Sequence, residues 1–380
     1  GSAITIDNTH PSISNVVADW GAYLNAAEDN SDGTISVTTS GVEDGETVTI
    51  TGLGVTDTCS VSSNSCTATV AAADLQGLTN GNTYTITVNV DDTAGNAATE
   101  DTGDTFVYDK TAPTSTTATI AVSGSGNANN GDVITLTLDP SETVGTPTCT
   151  WTDGSGAMED TSVTYGTTGS DSHTAAVTVH DNDQDGTVGF SCTYSDLAGN
   201  AIASAITSLS SGSAITIDNT HPTSSAVTIA VSGDGNANNG DVITLTLDPS
   251  ETVGTPTCTF TDGGAGAMAD TSVTYDTTGV DSHTAAITVA DADDDGTLGF
   301  SCTYSDSAGN AITSAITAIT SGSNIVIDNT HPSISNVVPS WGAYLNAAED
   351  NSDGTITVTT SGAEDGETVT ITGLGVTDTC

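Results

Sequence analysis

Apolar residues alternate with threonine along many short segments of this chain. Clear examples are residues 133–138, 174–179 and 84–88. A period of two places successive side chains on opposite faces of a β-strand, and the β-branched threonine suits the solvent-facing side. Clusters of Gly, Asn and Asp interrupt these segments every 8 to 12 residues or so, which is typical of an all-β sandwich or barrel. No segment of about 12 residues shows a 3.6-residue period, so very little helix is expected.

The net charge of the chain limits the classes of partner that it can bind. Its 380 residues include 49 Asp and Glu but a single Lys or Arg, so the formal net charge is −48. Phosphate binding needs a basic surface, and nucleic acid is therefore excluded as a natural partner. No run of 18 or more apolar residues occurs, so this segment is not expected to insert into a membrane. High charge with few aromatic residues would also permit disorder, but the strand pattern argues against it.

A short motif divides the chain into repeats. Asp-Asn-Thr-His-Pro occurs at residues 7–11, 218–222 and 328–332, with the variant Asp-Lys-Thr-Ala-Pro at 109–113. The intervals between these motifs are 102, 109 and 110 residues, the size of one Ig domain. We name the intervals by their sequences: residues 7–108 are the A repeat, 109–217 and 218–327 are the first and second B repeats, and 328–380 are the A half-repeat.

The two ends of the chain cut this pattern. Residues 1–6 match residues 212–217, so we expect them to be the last strand of a preceding repeat. The A half-repeat matches the first 53 positions of the A repeat with four differences. The simplest interpretation is a window from a longer array. An alternative is that a strand from another molecule completes the half-repeat, as in donor-strand polymers.

The first B repeat aligns with a seven-stranded sandwich. We predict strand A at residues 115–123, B at 132–138, C at 146–152, E at 173–179, F at 187–194 and G at 213–217. Three motifs recur: the linker at 109–113, Asp-x-Ala-Gly-Asn at 92–96, 196–200 and 306–310, and Gly-Asp-Val-Ile-Thr-Leu at 131–136. With these motifs the chain resembles the bacterial-type Ig-like repeats of giant surface adhesins and of archaeal and bacterial S-layer proteins. The resemblance covers essentially the whole chain. It implies an all-β fold of tandem Ig-like seven-stranded Greek-key β-sandwiches arranged as an elongated rod.

The seven cysteines are expected to form three disulfides and leave Cys380 unpaired. The expected pairs are Cys59 with Cys66, Cys149 with Cys192, and Cys258 with Cys302. In the B repeats the pair joins predicted strands C and F, and closing a loop of roughly 40 residues should stabilise the fold by about 3 to 4 kcal/mol. Cys380 is the counterpart of Cys59, whose partner would lie beyond the chain end. Pairing implies an oxidising compartment, extracellular or at the cell surface. Zinc or redox thiols are the alternative, which the spacing disfavours.

Acidic loops fit the opening of a calcium loop, Asp-x-[Asp/Asn]-x-[Asp/Asn]-Gly. The matching residues are Asp181, Asp183 and Asp185 in the first B repeat and Asp291, Asp293 and Asp295 in the second. The A repeat carries a looser version, Glu28, Asn30 and Asp32, which recurs at residues 349–353. The twelfth position is a cysteine rather than glutamate, so this is no EF-hand. Further oxygen ligands must come from elsewhere.

Sandwich topology predicts that these loops meet the linker and the next domain at each junction. The expected additional ligands are Asp132, Asp218, Glu251, Asp306 and Asn310 between the two B repeats, with the equivalents Asp109, Glu142, Asp196, Asn200, Asp241 and Asp328. So many carboxylates repel unless a cation neutralises them, and we therefore predict Ca²⁺ at the junctions. A competing interpretation is that these are ordinary Asp-Gly and Asn-Gly turns in solvated acidic loops. Adaptation to high salt would also account for the acidity.

These observations favour a structural role. No Ser/His/Asp order, nucleophile elbow or phosphate-binding glycine loop occurs, so no enzyme activity is expected. We expect an extracellular cell-surface protein, a calcium-stiffened filament or adhesin stalk whose partners are copies of itself or neighbouring repeats. The alternative is a polyanionic S-layer subunit that concentrates cations. A spacer region of a secreted enzyme is a third interpretation.

Overall fold

The chain forms two compact units in the computed structural model, Gly1–Asn219 and Thr220–Cys380, which we describe separately. The structure describes residues 4–124, 126–169, 171–233, 235–279, 281–363, 366–373 and 375–380. Of the strand predicted at residues 1–6, residues 1–3 lie outside the described residues, and residues 4–6 are not in a strand. Among the described residues, no helix has both the length and the apolar composition needed to cross a bilayer.

The A repeat is an Ig-like sandwich of two sheets. Its strands are β1 (Ser12–Ala18), β2 (Tyr23–Leu24), β3 (Gly33–Ser40), β4 (Thr47–Thr51), β5 (Asp57–Ser60), β6 (Ser65–Val70), β7 (Thr83–Val90) and β8 (Asp101–Tyr108). One sheet has the order β1-β3-β6 and the other β2-β8-β7-β4-β5. The repeat has eight strands rather than the predicted seven, because the short β2 pairs in parallel with β8. A 3₁₀ turn (Glu28–Asn30) and helix α1 (Ala72–Gln76) complete it.

The first B repeat matches its predicted strands closely. Its strands are β9 (Ser115–Val122), β10 (Val133–Pro140), β11 (Thr148–Thr152), β12 (Thr164–Thr167), β13 (His173–Thr178), β14 (Gly186–Thr187), β15 (Gly189–Thr193) and β16 (Thr216–Ile217). The sheets have the orders β12-β13-β10-β9, β11-β15 and β14-β16. Predicted strand F is split at Val188, strand G is two residues long, and β12 was not predicted.

The second unit repeats this plan. The second B repeat has β17 (Ser224–Val231), β18 (Val242–Pro249), β19 (Thr257–Thr261), β20 (Thr274–Thr278), β21 (Ser282–Thr288), β22 (Gly296–Thr297), β23 (Gly299–Thr303) and β24 (Val326–Ile327). The A half-repeat has β25 (Ser333–Pro339), β26 (Ile356–Ser361), β27 (Thr370–Gly373) and β28 (Val376–Thr379). Strand β25 pairs with β26 in the same register in which β1 pairs with β3. The all-β Ig-like prediction is confirmed.

The alternation with threonine places one side chain in two inside each sandwich. In β10, Ile134, Leu136 and Leu138 are fully buried, while the threonines between them are only partly buried. Burying each such side chain contributes about 1.5 to 3 kcal/mol. Three separate hydrophobic cores result, which span residues 16–108, 118–217 and 227–327. Each core lies within one sequence repeat, as the predicted division expects, while the domain boundaries themselves stay a prediction.

The three predicted disulfides are confirmed. Cys149 and Cys192 lie directly opposite each other on β11 and β15, so the bond lies within one sheet, and Cys258 and Cys302 repeat this pairing. In the A repeat the bond joins β5 and β6, which belong to different sheets. Cys380 is exposed and has no disulfide partner.

Candidate functional site

The buried aspartate of each predicted calcium loop accepts backbone hydrogen bonds. Asp183 is 3% exposed, its Oδ1 accepts the N–H of Glu159 at 2.7 Å and its Oδ2 accepts the N–H of His180 at 2.8 Å. Asp293 repeats this arrangement in the second B repeat, with distances of 2.6 and 2.8 Å. Main-chain donors thus compensate these two charges and close the loop. Both residues were predicted as metal ligands; the structure gives them this structural role, and the ligand role stays a prediction.

The last aspartate of each loop holds the linker that leaves the repeat. Asp185 Oδ1 accepts the N–H of Asn219 at 2.7 Å. Asp295 accepts the N–H of Asn329 at 2.6 Å and the hydroxyl of Thr330. The hydrogen bond from the Thr330 hydroxyl, followed by that from the Asn329 N–H, lowers the pKa of Asp295. The first aspartates of the two loops, Asp181 and Asp291, are exposed.

The linker asparagines also leave an oxygen without a donor. Asn219 Nδ2 donates to the carbonyls of His180 and Asp183 at 2.9 and 3.0 Å, and Asn329 makes the equivalent pair of bonds. The Oδ1 atoms of both asparagines are buried and have no hydrogen-bond partner. A buried amide oxygen normally has a donor, a water or a cation beside it. The same unpartnered amide oxygen occurs in both repeats, so each repeat has a buried hard oxygen that still lacks such a partner.

Three predicted ligands, Asp132, Asp241 and Asp328, accept hydrogen bonds from their own segments, and a fourth, Asp218, accepts one from a distant loop. Asp132 accepts bonds from the Ser123 hydroxyl and the Asn129 N–H, and Asp241 accepts the equivalent two bonds. In the linkers, Asp218 Oδ2 is 3.5 Å from Asn127 Nδ2, while Asp328 Oδ1 accepts a linker N–H two residues ahead. Asp132, Asp241 and Asp328 thus act locally as turn formers, while Asp218 contacts a loop 91 residues earlier in the chain; their role as metal ligands stays a prediction.

The predicted ligands of the A repeat also bond to their own backbone. Glu28 accepts the N–H of Asn25 at 3.0 Å, and Asn25 Oδ1 accepts the N–H of Glu28 at 3.1 Å. Asn30 Nδ2 donates to the carbonyl four residues earlier at 2.6 Å. Asp32 Oδ1 accepts the N–H of Ala72 at 2.9 Å and so satisfies the first turn of α1. These residues therefore build the 3₁₀ turn and helix that end this side of the sandwich.

One predicted set of carboxylates does converge. Ligand oxygens of Asp109, Glu142 and Asp196 all lie within 4.8 Å of one another, and we call these three residues the Asp109 cluster. Asp109 is in the linker, Glu142 is in the loop between β10 and β11, and Asp196 begins the Asp-x-Ala-Gly-Asn motif. Burial raises the pKa of Glu142, and the charges of Asp109 and Asp196 raise it further. A bound cation, or a proton on one carboxylate, would relieve the repulsion among these three groups.

The counterparts of this cluster in the next repeat are Asp218, Glu251 and Asp306. Asp218 belongs to the first unit, and Glu251 and Asp306 belong to the second. Asp306 is 7% exposed, and its Oδ1 accepts the N–H groups of the three residues 308–310. The cation prediction for this set stays a prediction.

The asparagines of the motif are hydrogen-bond hubs. Asn200 is buried, and its Nδ2 donates to the Asp109 carbonyl at 2.8 Å and to Asp196 Oδ2 at 2.9 Å. Its Oδ1 accepts the N–H of Ala26 at 3.2 Å. Asn310 makes the same bonds to the carboxylate of Asp306. Asn200 was predicted as a metal ligand; its oxygen accepts one donor in the structure, and the ligand role stays a prediction.

A residue that the sequence prediction missed distinguishes the A repeat from the first B repeat. In the A repeat, the Thr93 N–H donates to Glu43 at 3.0 Å and the Thr93 hydroxyl donates to Glu46 at 2.8 Å. The same position of the motif is Leu197 in the first B repeat, which is 57% exposed and has no hydroxyl, and Ser307 in the second. Comparing the three copies of the motif would have revealed this difference from the sequence.

Comparisons with known proteins give a likeness in fold. No family model matches the sequence, and no curated protein matches it. The chain is similar to the solved structure of a Ca²⁺-stabilised adhesin with which an Antarctic bacterium reaches out and binds ice, at 22% identity and a TM-score of 0.52, covering 98% of this chain and 88% of that one. A 1.5-MDa bacterial ice-binding adhesin (19% identity, TM-score 0.41, 84% and 97% covered) and the titin fragment I67–I69 (11% identity, TM-score 0.31, 82% and 96% covered) are also similar.

Proposed function

We propose that this chain is part of an extracellular, non-enzymatic structural protein of the adhesin type, a stalk or filament stiffened by Ca²⁺ at its repeat junctions. The fold it shares with adhesin segments, its three disulfides and the strand-rich repeats support this role. Its partners are neighbouring repeats or further copies of the chain. A net charge of −48 supports an ion-rich setting outside the cell.

The observation that carries the proposal is the Asp109 cluster. It joins a linker residue to two loops of the repeat that follows, so an ion held there ties the linker to the sandwich. The raised pKa of Glu142 indicates that a third negative charge at this place is costly without a counter-charge. Lys110 lies next to Asp109 in the sequence but sits over the ring of Tyr108, 5.4 Å from its centroid.

The chemistry of the donors favours Ca²⁺ over other metals. The ligand atoms of the Asp109 cluster are all carboxylate oxygens, which are hard ligands, and each described cysteine except Cys380 is in a disulfide. The unpartnered amide oxygens of Asn219 and Asn329 are two further hard oxygens, on linker residues whose N–H groups donate to Asp185 and Asp295. Ca²⁺ accepts six to eight such ligands in flexible geometry, whereas Mg²⁺ requires near-ideal octahedra.

Calcium titration of the chelated protein tests the proposal. Thermal unfolding of the full chain, with and without Ca²⁺, should show a stabilisation of about 2.7 kcal/mol at an ion concentration about 100 times the dissociation constant. Glu142→Gln should reduce this gain, while Mg²⁺ at the same concentration should give less. Unfolding curves that do not move with Ca²⁺, or that move equally for the variant, would contradict the proposal.

A second function, a subunit of a surface lattice, is favoured by the charge alone. A sheet of such subunits would hold a layer of cations near the cell, since 48 negative charges per chain are not compensated. Electron microscopy of the cell envelope distinguishes the two functions. A fibre supports the stalk, and a two-dimensional lattice supports the subunit.

A further inference from the structure

Besides the bonds that linker residues 109–111 make to Leu24 and Asn80 of the A repeat, two hydrogen bonds connect the A repeat directly to the sandwich of the first B repeat. Asn25 Nδ2 donates to the Ala198 carbonyl at 2.8 Å, and the Ala26 N–H donates to Asn200 Oδ1 at 3.2 Å. We propose that these residues form a lock, the Asn25–Asn200 lock, that fixes the first B repeat on the A repeat without any ion. This inference goes beyond the proposed function, because the lock would stiffen this junction even if no Ca²⁺ binds.

The side of the lock on the A repeat is prepared by its own sequence. Asn25 Oδ1 accepts the N–H groups of Ala27 and Glu28, while Glu28 accepts the N–H of Asn25. These reciprocal bonds hold the side-chain amide with its N–H groups turned away from its own turn. The A half-repeat makes the same bonds between Asn346 and Glu349. The A repeat and the A half-repeat therefore share this turn geometry, which does not depend on contact with a B repeat.

The side of the lock on the B repeat is prepared by the Asp-x-Ala-Gly-Asn motif. The Asp196 carboxylate accepts the N–H of Asn200 at 2.9 Å and its Nδ2 at 2.9 Å, which leaves Asn200 Oδ1 for the A repeat. Gly199 has a φ of +96°, and a Cβ there would lie 3.3 Å from Asn25 Nδ2. A side chain at this position would both strain the backbone and crowd the lock. The motif thus supplies the acceptor, the close approach and the rigidity together.

The lock differs from the ordinary linker contact of the motif. In the A repeat, Asn96 Nδ2 donates to the Asp7 carbonyl at 3.2 Å and to Asp92 Oδ2 at 2.8 Å, as Asn200 does in its own repeat. Asn200 adds to these bonds an acceptor for the preceding sandwich. Since Asn96 and Asn200 share the local role, Asn96→Ala is a matched control for Asn200→Ala.

The experiment measures the distance distribution between the two repeats in the full chain. Thr47 on β4 and Thr150 on β11 are exposed and can carry genetically encoded azides for two fluorophores, which leaves the disulfides untouched. The control label set has both azides within the first B repeat. Energy transfer is recorded in a chelator and in Ca²⁺.

If the lock fixes the junction, the distances between the two labels should have a narrow distribution in the unmodified chain in chelator. Asn25→Asp keeps the acceptor of the local turn but removes the donor, and Asn200→Ala removes the acceptor; both should widen the distribution at least about twofold, towards that of freely linked domains. Asn346→Asp makes the same local change outside this junction, and it should leave the distribution unchanged, as should Asn96→Ala.

Two results would overturn the lock. If the unmodified chain already has a wide distribution in chelator and narrows only with Ca²⁺, the ion is what fixes the junction. If Asn25→Asp leaves the distance distribution narrow, the side-chain bond from Asn25 does not fix the junction, and the lock as proposed is overturned. Asn25→Asp alters no residue of the B repeat, so it remains decisive where Asn200→Ala fails to fold. The lock is tested by the distance distribution in chelator, where no Ca²⁺ is bound. A negative result there can therefore be distinguished from a failure of Ca²⁺ to stabilise the chain.

Discussion

The A repeat and the first B repeat use one Ig-like plan but stabilise it differently. In the A repeat a disulfide between the two sheets spans 7 residues, and a short helix, α1, connects β6 to β7. In the first B repeat a disulfide within one sheet spans 43 residues, and an acidic loop takes the place of the helix. The difference shows that the fold is set by the buried alternation, while covalent and ionic reinforcement is decided by a few loop and strand positions.

Removing the disulfides should give the largest difference between the two repeats. In the chain-entropy account, Cys149→Ala with Cys192→Ala should cost about 4 kcal/mol of unfolding free energy, whereas Cys59→Ala with Cys66→Ala should cost about 2 kcal/mol, because the closed loop is shorter. Calorimetry of the full chain, in which the repeats unfold as separate transitions, measures both. Equal losses would mean that the loop length does not govern the stabilisation.

The same bonds should limit how far each repeat extends under force. The 43 residues between Cys149 and Cys192 cannot extend while the bond is intact. At roughly 3.5 Å per residue, reduction should lengthen each unfolded B repeat by about 150 Å and the A repeat by about 25 Å. Single-molecule pulling with and without reductant tests this. If the length of an unfolded B repeat is the same with and without reductant, the disulfide pairing is contradicted.

The buried aspartate of the acidic loop should give the next largest effect. Asp183→Ala leaves the N–H groups of Glu159 and His180 without their acceptor, and each unpaired buried donor costs about 1 to 3 kcal/mol. We expect a loss of about 2 to 3 kcal/mol in denaturant unfolding, equal in chelator and in Ca²⁺. Asp181→Ala, at an exposed position of the same loop, is the control and should have almost no effect. A loss that appears only in Ca²⁺ would restore Asp183 as a metal ligand.

Replacing Leu197 of the motif by the threonine that the A repeat has at this position should lower the Ca²⁺ affinity of the Asp109 cluster. Leu197→Thr gives the loop of Glu142 a hydroxyl donor, as Thr93 gives the corresponding loop of the A repeat. One hydrogen bond of about 1 kcal/mol would weaken Ca²⁺ binding at the Asp109 cluster about fivefold. Calorimetric titration measures this, with Leu197→Val as the control without a hydroxyl. If the threonine and valine variants bind Ca²⁺ equally, the hydroxyl is not what separates the two repeats.

Most of the fold was predictable because burial alternates along the strands. Residues 133–138 are apolar at every buried position, and strand β10 follows them closely. Strand β12 was missed because all four of its residues are exposed, so no alternation marks it. Helix α1 was missed because it has five residues, of which only Leu75 is buried.

The candidate site was predictable only in part. The Asp109 cluster was found because linker and loop residues recur at equal spacing in each repeat. The roles of Asp183 and Asn200 were not found, because the amino-acid sequence does not show which N–H groups face a carboxylate or an amide. Density of aspartate therefore marks the loop at 181–185, which contacts the linker that leaves the repeat, and not the three residues that converge at the linker that enters it.

The smallest predicted effect is a pH dependence of opposite sign at two carboxylates, Glu142 of the first B repeat and Asp92 of the A repeat. Burial, then the charges of Asp109 and Asp196, raise the pKa of Glu142, so in chelator its contribution to the stability of the first B repeat is present at low pH and is lost as the pH rises through the glutamate range. The side-chain bond from Asn96 lowers the pKa of Asp92, so its contribution to the A repeat is present at neutral pH and is lost as the pH falls. Each repeat also has carboxylates whose pKa is shifted the other way, Asp153 and Asp160 lowered in the first B repeat and Asp57 and Asp104 raised in the A repeat. The two contributions are therefore measured as the difference in unfolding between the unmodified chain and Glu142→Gln or Asp92→Asn, between about pH 3 and 6. Glu142→Gln should change the pH dependence of the first B repeat alone; if that repeat's pH dependence is unchanged, the repulsion within the Asp109 cluster does not contribute to its stability.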